Sequence, residues 1–129
     1  MKIAISIIRK DNRFLLVKRV KNEENLNWVF PGGKQEFRET LEETALREVR
    51  EETGIECEII GKLGYRIHPD TGTETYYFSG IYISGNINIS REDEILEAGW
   101  YTKDEILKRI TTDIYPRVEK YISQPFPAA

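Results

Sequence analysis

Cysteine and histidine occur only once each in this 129-residue chain, at Cys57 and His68. That excludes an internal disulfide, a cysteine zinc cluster and any histidine-rich metal site. Long apolar runs are missing as well. The N-terminal stretch before Arg9 and Lys10 has only about six apolar residues, too few for a signal-peptide core or a membrane span. A soluble, cytoplasmic protein that does not engage a membrane is the expectation. Excess charge of one sign is also lacking. A net charge of −3 argues against broad electrostatic binding to a nucleic-acid polymer or an anionic bilayer. It leaves room for a small anionic substrate, because local charge decides that. No internal repeat, linker or low-complexity segment interrupts the chain. With 40% apolar and 32% charged residues, disorder is not the default, and a single domain over residues 1–129 is expected.

The chain reads as strands and three helices. Lys2 to Arg9 is an isoleucine-rich strand with Ile3, Ile5 and Ile7 on one face. A polar turn at residues 10–13 leads to a second strand, Phe14 to Val20, so a hairpin is expected. Lys21 to Asn27 reads as a polar loop. Trp28-Val29-Phe30 then stops at Pro31-Gly32-Gly33, a turn that permits positive φ and leaves backbone groups open to a ligand. Thr40 with Glu43 forms a capping box for a helix from Leu41 to about Thr53, closed by Gly54. Ile55 to Leu63 is a strand in which Gly61 marks a bulge, and Tyr65 to Gly72 a loop. Thr73 to Ser84 is a long strand, with Ile87 and Ile89 continuing it weakly. Ser90 to Glu97 is an acidic loop and Trp100-Tyr101 a short strand. Thr102 with Glu105 opens a second helix to about Ile110, and a third runs from about Ile114 to Ile122 with Pro116 in its first turn.

The first helix is electrostatically odd. Glu48, Glu51 and Glu52 stand at i, i+3 and i+4, crowded on one face. Like charges at that spacing cost roughly 0.2–0.5 kcal/mol per pair. The simplest use for them is a divalent cation, since clustered carboxylate oxygens suit Mg²⁺ and Mn²⁺. Ala45, Val49 and Leu46 form the apolar stripe. The carboxylates lie roughly 100° from it by helix geometry, which would place them along a cleft edge.

Gly33, then Glu39, then Arg47-Glu48-Val49-Arg50-Glu51-Glu52-Thr53-Gly54-Ile55 resembles the Nudix box at every specified position. Chance agreement at its seven fixed positions is about one in 10⁸ per placement. Phe14 to Arg19, Phe30 to Gly33 and Trp100-Tyr101 before a helix resemble Nudix flanks. The resemblance implies an α/β (α+β) fold, an α/β/α sandwich around a mixed β-sheet. It also implies a hydrolase of nucleoside diphosphates linked to another moiety, dependent on Mg²⁺ or Mn²⁺. By motif position Glu48, Glu51, Glu52 and the Gly32 carbonyl would be metal ligands. Arg47 would orient the box carboxylates and Glu39 would be structural. Glu52 or Glu48 could act as general base. So could a loop glutamate (Glu92, Glu94 or Glu97), of which Glu97, three before Trp100, is favoured.

Contacts to the substrate are expected from Gly33, Arg19, Trp28, Tyr77 and Asp113. Arg19 reads equally as a phosphate contact or as a strand-end surface charge. Trp28 and Tyr77 could stack on a base or serve the core. Asp113 could read a base edge or cap the last helix. His68 and Cys57 read as loop and core residues. Pro69 lies one or two positions short of the proline of the ADP-ribose type, and the dinucleoside polyphosphate and coenzyme A marks are missing. The short chain with Phe-Pro-Gly-Gly is most similar to MutT-type nucleoside triphosphate pyrophosphohydrolases, including those acting on oxidised nucleotides. An ADP-ribose or nucleotide-sugar diphosphatase and a nucleotide-sensing module without catalysis are the alternatives. Either a monomer or a homodimer is compatible with the residues.

Overall fold

In the computed structural model, which describes residues 1–22 and 25–126, a mixed sheet is sandwiched between one long helix and two short ones. The elements run β1 (Lys2–Lys10), β2 (Arg13–Asn22), β3 (Asn25–Val29), β4 (Gly32–Lys34), α1 (Leu41–Thr53), β5 (Glu56–Ile67), β6 (Glu74–Ser84), β7 (Ile95–Tyr101), α2 (Lys103–Arg109) and α3 (Pro116–Ile122). The strand order is β3-β2-β1-β6-β5, with β4 on β1 and β7 on β2. Among the described residues only β1 and β6 pair in parallel; the other pairings are antiparallel. Among the described residues no helix is long and apolar enough to cross a membrane.

β1 is the central strand and is covered on both sides. Ile5 and Ile7 face Ile106, Val118 and Ile122 of α2 and α3. Ala4 and Ile8 face Ala45 and Val49 of α1. Double burial explains why β1 reads as a near-continuous apolar run rather than a strict alternation. β1 and β2 pair only beside their turn, Arg9 with Phe14 and Lys10 with Arg13. Asp11 makes that tight turn at φ 56°. Farther along β1, its edge is taken instead by β4, with Ile3–Ile5 opposite Gly32–Lys34. The Ser6 amide donates to the Pro31 carbonyl at 2.9 Å.

Four expectations change. In the stretch 21–27, expected as a polar loop, residues 21–22 continue β2 and residues 25–27 begin β3; pairing with a neighbouring strand overrides the polar composition. Residues 23 and 24 of that stretch lie outside the described residues, as do residues 127–129. Gly32 and Gly33 form a strand, and neither has a positive φ. They are glycines because of close approach. A Cβ on Gly32 would lie 2.4 Å from the Ala4 carbonyl oxygen, and one on Gly33 2.5 Å from the Glu48 carboxyl carbon. β5 runs on to Ile67, past register shifts near Gly61 and Gly64, so the expected loop shrinks to a turn at His68–Thr73. β7 starts at Ile95, which confines the acidic loop to Ser90–Glu94; Ile87 and Ile89 are not in a strand.

Local signals held where they were strongest. Thr40 and Glu43 form a reciprocal capping box on α1, and Gly54 closes it at φ 76°. Thr102 and Glu105 repeat the box on α2. Pro116 sits in the first turn of α3, but the cap residue is Tyr115 and makes no side-chain bond. Asp113 is therefore not an N-cap.

Candidate active site

The splay between β1 and β2 lets β4 pass beneath α1, and the box residues meet there. Glu52 is 0% exposed. Its place is not a cleft edge but the helix face turned toward the sheet. Oε1 accepts from Arg19 Nη2 at 2.7 Å and Oε2 from the Gly32 amide at 3.3 Å. The same Arg19 nitrogen donates to the Gly32 carbonyl at 3.1 Å. Burial pushes the Glu52 carboxyl up to about 8; Arg19 opposes the shift and neighbouring Glu48 adds to it.

One turn back, Glu48 Oε1 accepts from Arg47 Nη1 at 2.7 Å. Arg47 Nη1 also reaches Glu51 Oε2 at 3.1 Å. Its remaining donors are committed elsewhere: Nε to Glu39 Oε2 at 2.6 Å, and Nη2 to Glu39 Oε1 at 3.0 Å and the Lys34 carbonyl at 2.9 Å. Bonding to Arg47 is the largest of the influences that hold the Glu39 carboxyl down at about 2. Glu39 Oε1 also takes the Glu36 amide and the Thr44 hydroxyl, so it ties the loop before α1 to the helix.

Opposite Glu48 and Glu51 lies the segment after β6. Its Asn88 amide donates to the Thr53 carbonyl at 2.8 Å, and Arg91 spans Glu48, Glu51 and Glu94. The resulting polar cleft, about 440 Å³, has Gly32, Gly33, Glu48 and Glu94 on its wall together with four cations: Arg19, Lys34, Arg47 and Arg91. A smaller, mainly apolar cavity of about 100 Å³ lies on the other side of β4. Tyr77, Tyr115, Phe30, Val29 and Asp113 contribute to it. The two glycines face opposite ways between these spaces. The missing Cβ of Gly32 points at Ile5 of the apolar cavity and that of Gly33 at Glu48 of the polar cleft.

Sequence reasoning placed Glu48, Glu51, Glu52, Gly32, Gly33, Arg19 and Arg47 together, and the fold gathers them. Tyr77 and Asp113 meet in the apolar cavity. Tyr77 lies 4.6 Å from Tyr115 ring to ring, and its hydroxyl accepts from Arg66 Nε at 3.1 Å. Arg66 also pairs with Asp113 at 2.5 Å. Two expectations need correction. Glu97 of β7 stands opposite Lys18 of β2 and shares a sheet face with Tyr101, away from α1; of the loop candidates Glu92, Glu94 and Glu97, Glu94 is the one on the cleft wall. Trp28 lines neither cavity: it packs edge-on against Tyr101 at 5.3 Å, beside the Arg109 guanidinium. Lys34 and Arg91 went unnoticed. Arg91 is the lone cation of the acidic run Ser90–Glu97, a signal that could have marked it.

The donor set suits a hard cation. Glu48, Glu51, Glu52 and the Gly32 carbonyl offer oxygens only. Among the described residues no three acidic, thiol or imidazole side chains converge as a finished cation shell. The box oxygens converge on guanidinium groups instead: Arg19 bridges Glu52 and Gly32, and Arg91 bridges Glu48 and Glu51.

The NUDIX domain model matches residues 2–121. The chain belongs to the Nudix family of hydrolases. An ADP-ribose pyrophosphatase of Methanocaldococcus jannaschii is 34% identical over 104 residues, 79% of this chain and 62% of that protein. The NAD-capped RNA hydrolase NudC of an Enterobacter species is 35% identical over 102 residues, 79% of this chain and 39% of that protein. The chain thus spans less than two thirds of either curated relative. Among solved structures, a NUDIX hydrolase from Nitrosomonas europaea superposes with a TM-score of 0.79 at 25% identity, covering 93% of this chain and 86% of that one. The mixed sheet and the helices on its two faces are the Nudix arrangement, and hydrolases of the family generally use divalent metal ions.

Proposed function

We propose that the protein hydrolyses a phosphoanhydride of a nucleoside diphosphate-linked compound, with a divalent ion, Mg²⁺ or Mn²⁺, held by Glu48, Glu51, Glu52 and the Gly32 carbonyl. The preferred substrate is a nucleoside triphosphate, cut to a monophosphate and pyrophosphate. The observation that carries this reading is the pairing of one polar cleft, bearing four cations, with one small apolar cavity across β4. A triphosphate carries most of its charge at one end and a single base at the other, and the two spaces match that division.

The ion, when bound, supplies charge neutralisation for the phosphates and a more acidic water as nucleophile. The chain's own residues do the rest. Lys34 and Arg19 reach the cleft to position phosphate oxygens, and Arg47 holds Glu48 and Glu51 in place through its anchor on Glu39. Glu94, on the cleft wall, takes the place of Glu97 as the loop candidate for accepting the water's proton. Tyr77 and Tyr115, stacked on each other, line the apolar cavity that would receive a base, while Asp113 and the Tyr77 hydroxyl are fixed by Arg66.

A second reading is hydrolysis of ADP-ribose or a nucleotide sugar, favoured by the name of the archaeal relative. The test is incubation with Mg²⁺ or Mn²⁺ and a nucleotide panel, with products separated by anion exchange. Pyrophosphate plus a monophosphate supports the first reading, and AMP plus ribose 5-phosphate from ADP-ribose the second. Tight nucleotide binding without any product would overturn both in favour of a sensing module.

A further inference from the structure

Arg91 is not one of the box residues, yet it makes more contacts to the box carboxylates than any side chain except Arg47. One of its nitrogens reaches Glu48 Oε2 at 3.5 Å and Glu94 Oε2 at 3.4 Å, and the other bonds Glu51 Oε2. These are oxygens of the same carboxylates that the ion would take. Arg47 touches Glu48 and Glu51 as well, but its other donors are locked onto Glu39 and the Lys34 carbonyl, so it cannot leave. Among the described residues Arg91 has no such anchor: apart from Glu94, its side-chain partners there are the box carboxylates themselves.

The backbone around Arg91 is held by bonds separate from those of its side chain. Asn88 and Ser90 tie the segment to the end of α1 through the Thr53 and Glu51 carbonyls. The Arg91 carbonyl accepts from the Glu94 and Ile95 amides at 3.0 and 2.8 Å. A long, partly buried guanidinium on a fixed root sits in the wall of the cleft that would receive phosphates. Guanidinium binds phosphate at least as well as carboxylate, through the same fork of donors.

We propose that Arg91 is an exchangeable counter-ion of the box. It neutralises Glu48 and Glu51 while no divalent ion is bound, and it turns to the substrate's phosphates once the ion takes those carboxylates. Arg91 thereby competes with the ion in the free protein and supports phosphate binding in the loaded one. The inference rests on the reading of the box as a metal site.

Arg91→Ala and Arg91→Lys, with wild type, are titrated with Mn²⁺ alone by calorimetry and by the loss of free-Mn²⁺ spin resonance. Pyrophosphate binding is then measured at saturating Mn²⁺, and circular dichroism verifies folding. Arg91→Ala is expected to bind Mn²⁺ more tightly by roughly threefold to tenfold, as loss of a modest, partly exposed ion-pair competitor gives. It is expected to bind pyrophosphate more weakly by a similar factor, with Arg91→Lys between. Equal or weaker Mn²⁺ binding by a folded Arg91→Ala protein would overturn the exchange while leaving the metal site standing. If Arg91→Ala does not fold, the same comparison is made with Arg91→Lys. Failure of wild type and both variants to bind Mn²⁺ at all would overturn the metal reading and the exchange with it.

Discussion

Arg19 Nη2 lies 2.7 Å from Glu52 Oε1 and 3.1 Å from the Gly32 carbonyl, so a strand residue, a helix residue and a glycine backbone share one point beneath α1. None of the three is near the others in sequence. Their meeting follows from the way β1 abandons β2 for β4, and the proposed chemistry depends on it.

Removing the buried carboxylate isolates that point. Glu52→Gln keeps the size and an acceptor for Arg19 but cannot become an anion. Turnover is expected to fall by about 100-fold or more, in the range seen when a transition-state charge partner is lost. Thermal unfolding in chelator should move little, because the substitution relieves a buried acid. A large fall in stability with retained turnover per folded molecule would contradict the assignment.

The paired glycines should fail in different ways. An added Cβ at Gly32 meets rigid backbone at Ala4, so Gly32→Ala is expected to destabilise the fold by about 1–3 kcal/mol. At Gly33 the Cβ meets the Glu48 carboxyl group, a side-chain end that can move. Gly33→Ala should therefore fold nearly normally yet lose Mn²⁺ affinity and activity together. Chemical denaturation and Mn²⁺ titration of both variants separate the two effects.

Two loop glutamates offer a direct contrast. Glu94 is on the cleft wall and Glu97 is on the opposite face of the sheet. Glu94→Gln is expected to lower kcat by about 10- to 100-fold, and Glu97→Gln, away from the cleft, to leave kcat nearly unchanged. The reverse pattern would restore Glu97 as the proton acceptor.

Acid should expose the role of Glu39. Its carboxyl is held at about 2, below the ordinary carboxylate value, so its contribution is fully present above the unfolded pKa near 4.5. That contribution fades as pH falls from about 4.5 through about 2. Glu39→Gln should be less stable than wild type at pH 7, and the gap should close across that interval. Urea midpoints measured at several pH values check the sign; a gap that widens in acid would contradict it.

In the apolar cavity, Asp113→Ala releases Arg66 and Tyr77→Ala removes the aromatic wall. Both are expected to raise KM by about tenfold with a smaller effect on kcat, since they lie away from the bond that breaks. Steady-state kinetics on the best substrate of the panel test this.

Much of the fold was legible because its signals are local. The capping boxes at Thr40 and Thr102, the Gly54 terminus and the β1–β2 hairpin each depend on a few neighbouring residues. The box itself was legible as a pattern, but its surroundings were not. Burial of Glu52 comes from β4 passing under α1, a contact spanning twenty residues of sequence. Residues 21–22 and 25–27 became strand because β2 and β3 found each other, and the Glu97 side chain turned away because β7 paired in one register and not another. Asp113 looked like a helix cap until Arg66, far away in sequence on β5, claimed its carboxylate. Each miss was decided by pairing between distant segments, which spacing along the chain does not reveal.

The central claim is that the α1 carboxylates and a divalent ion together perform the hydrolysis. Its most direct test is the rate of nucleotide hydrolysis against Mg²⁺ concentration for wild type and Glu52→Gln, with product release followed over time. Saturable, Mg²⁺-dependent turnover by wild type, abolished by chelator and reduced at least about 100-fold in a folded Glu52→Gln protein, is the predicted result. Turnover that is indifferent to Mg²⁺, or equal in the two proteins, would contradict it.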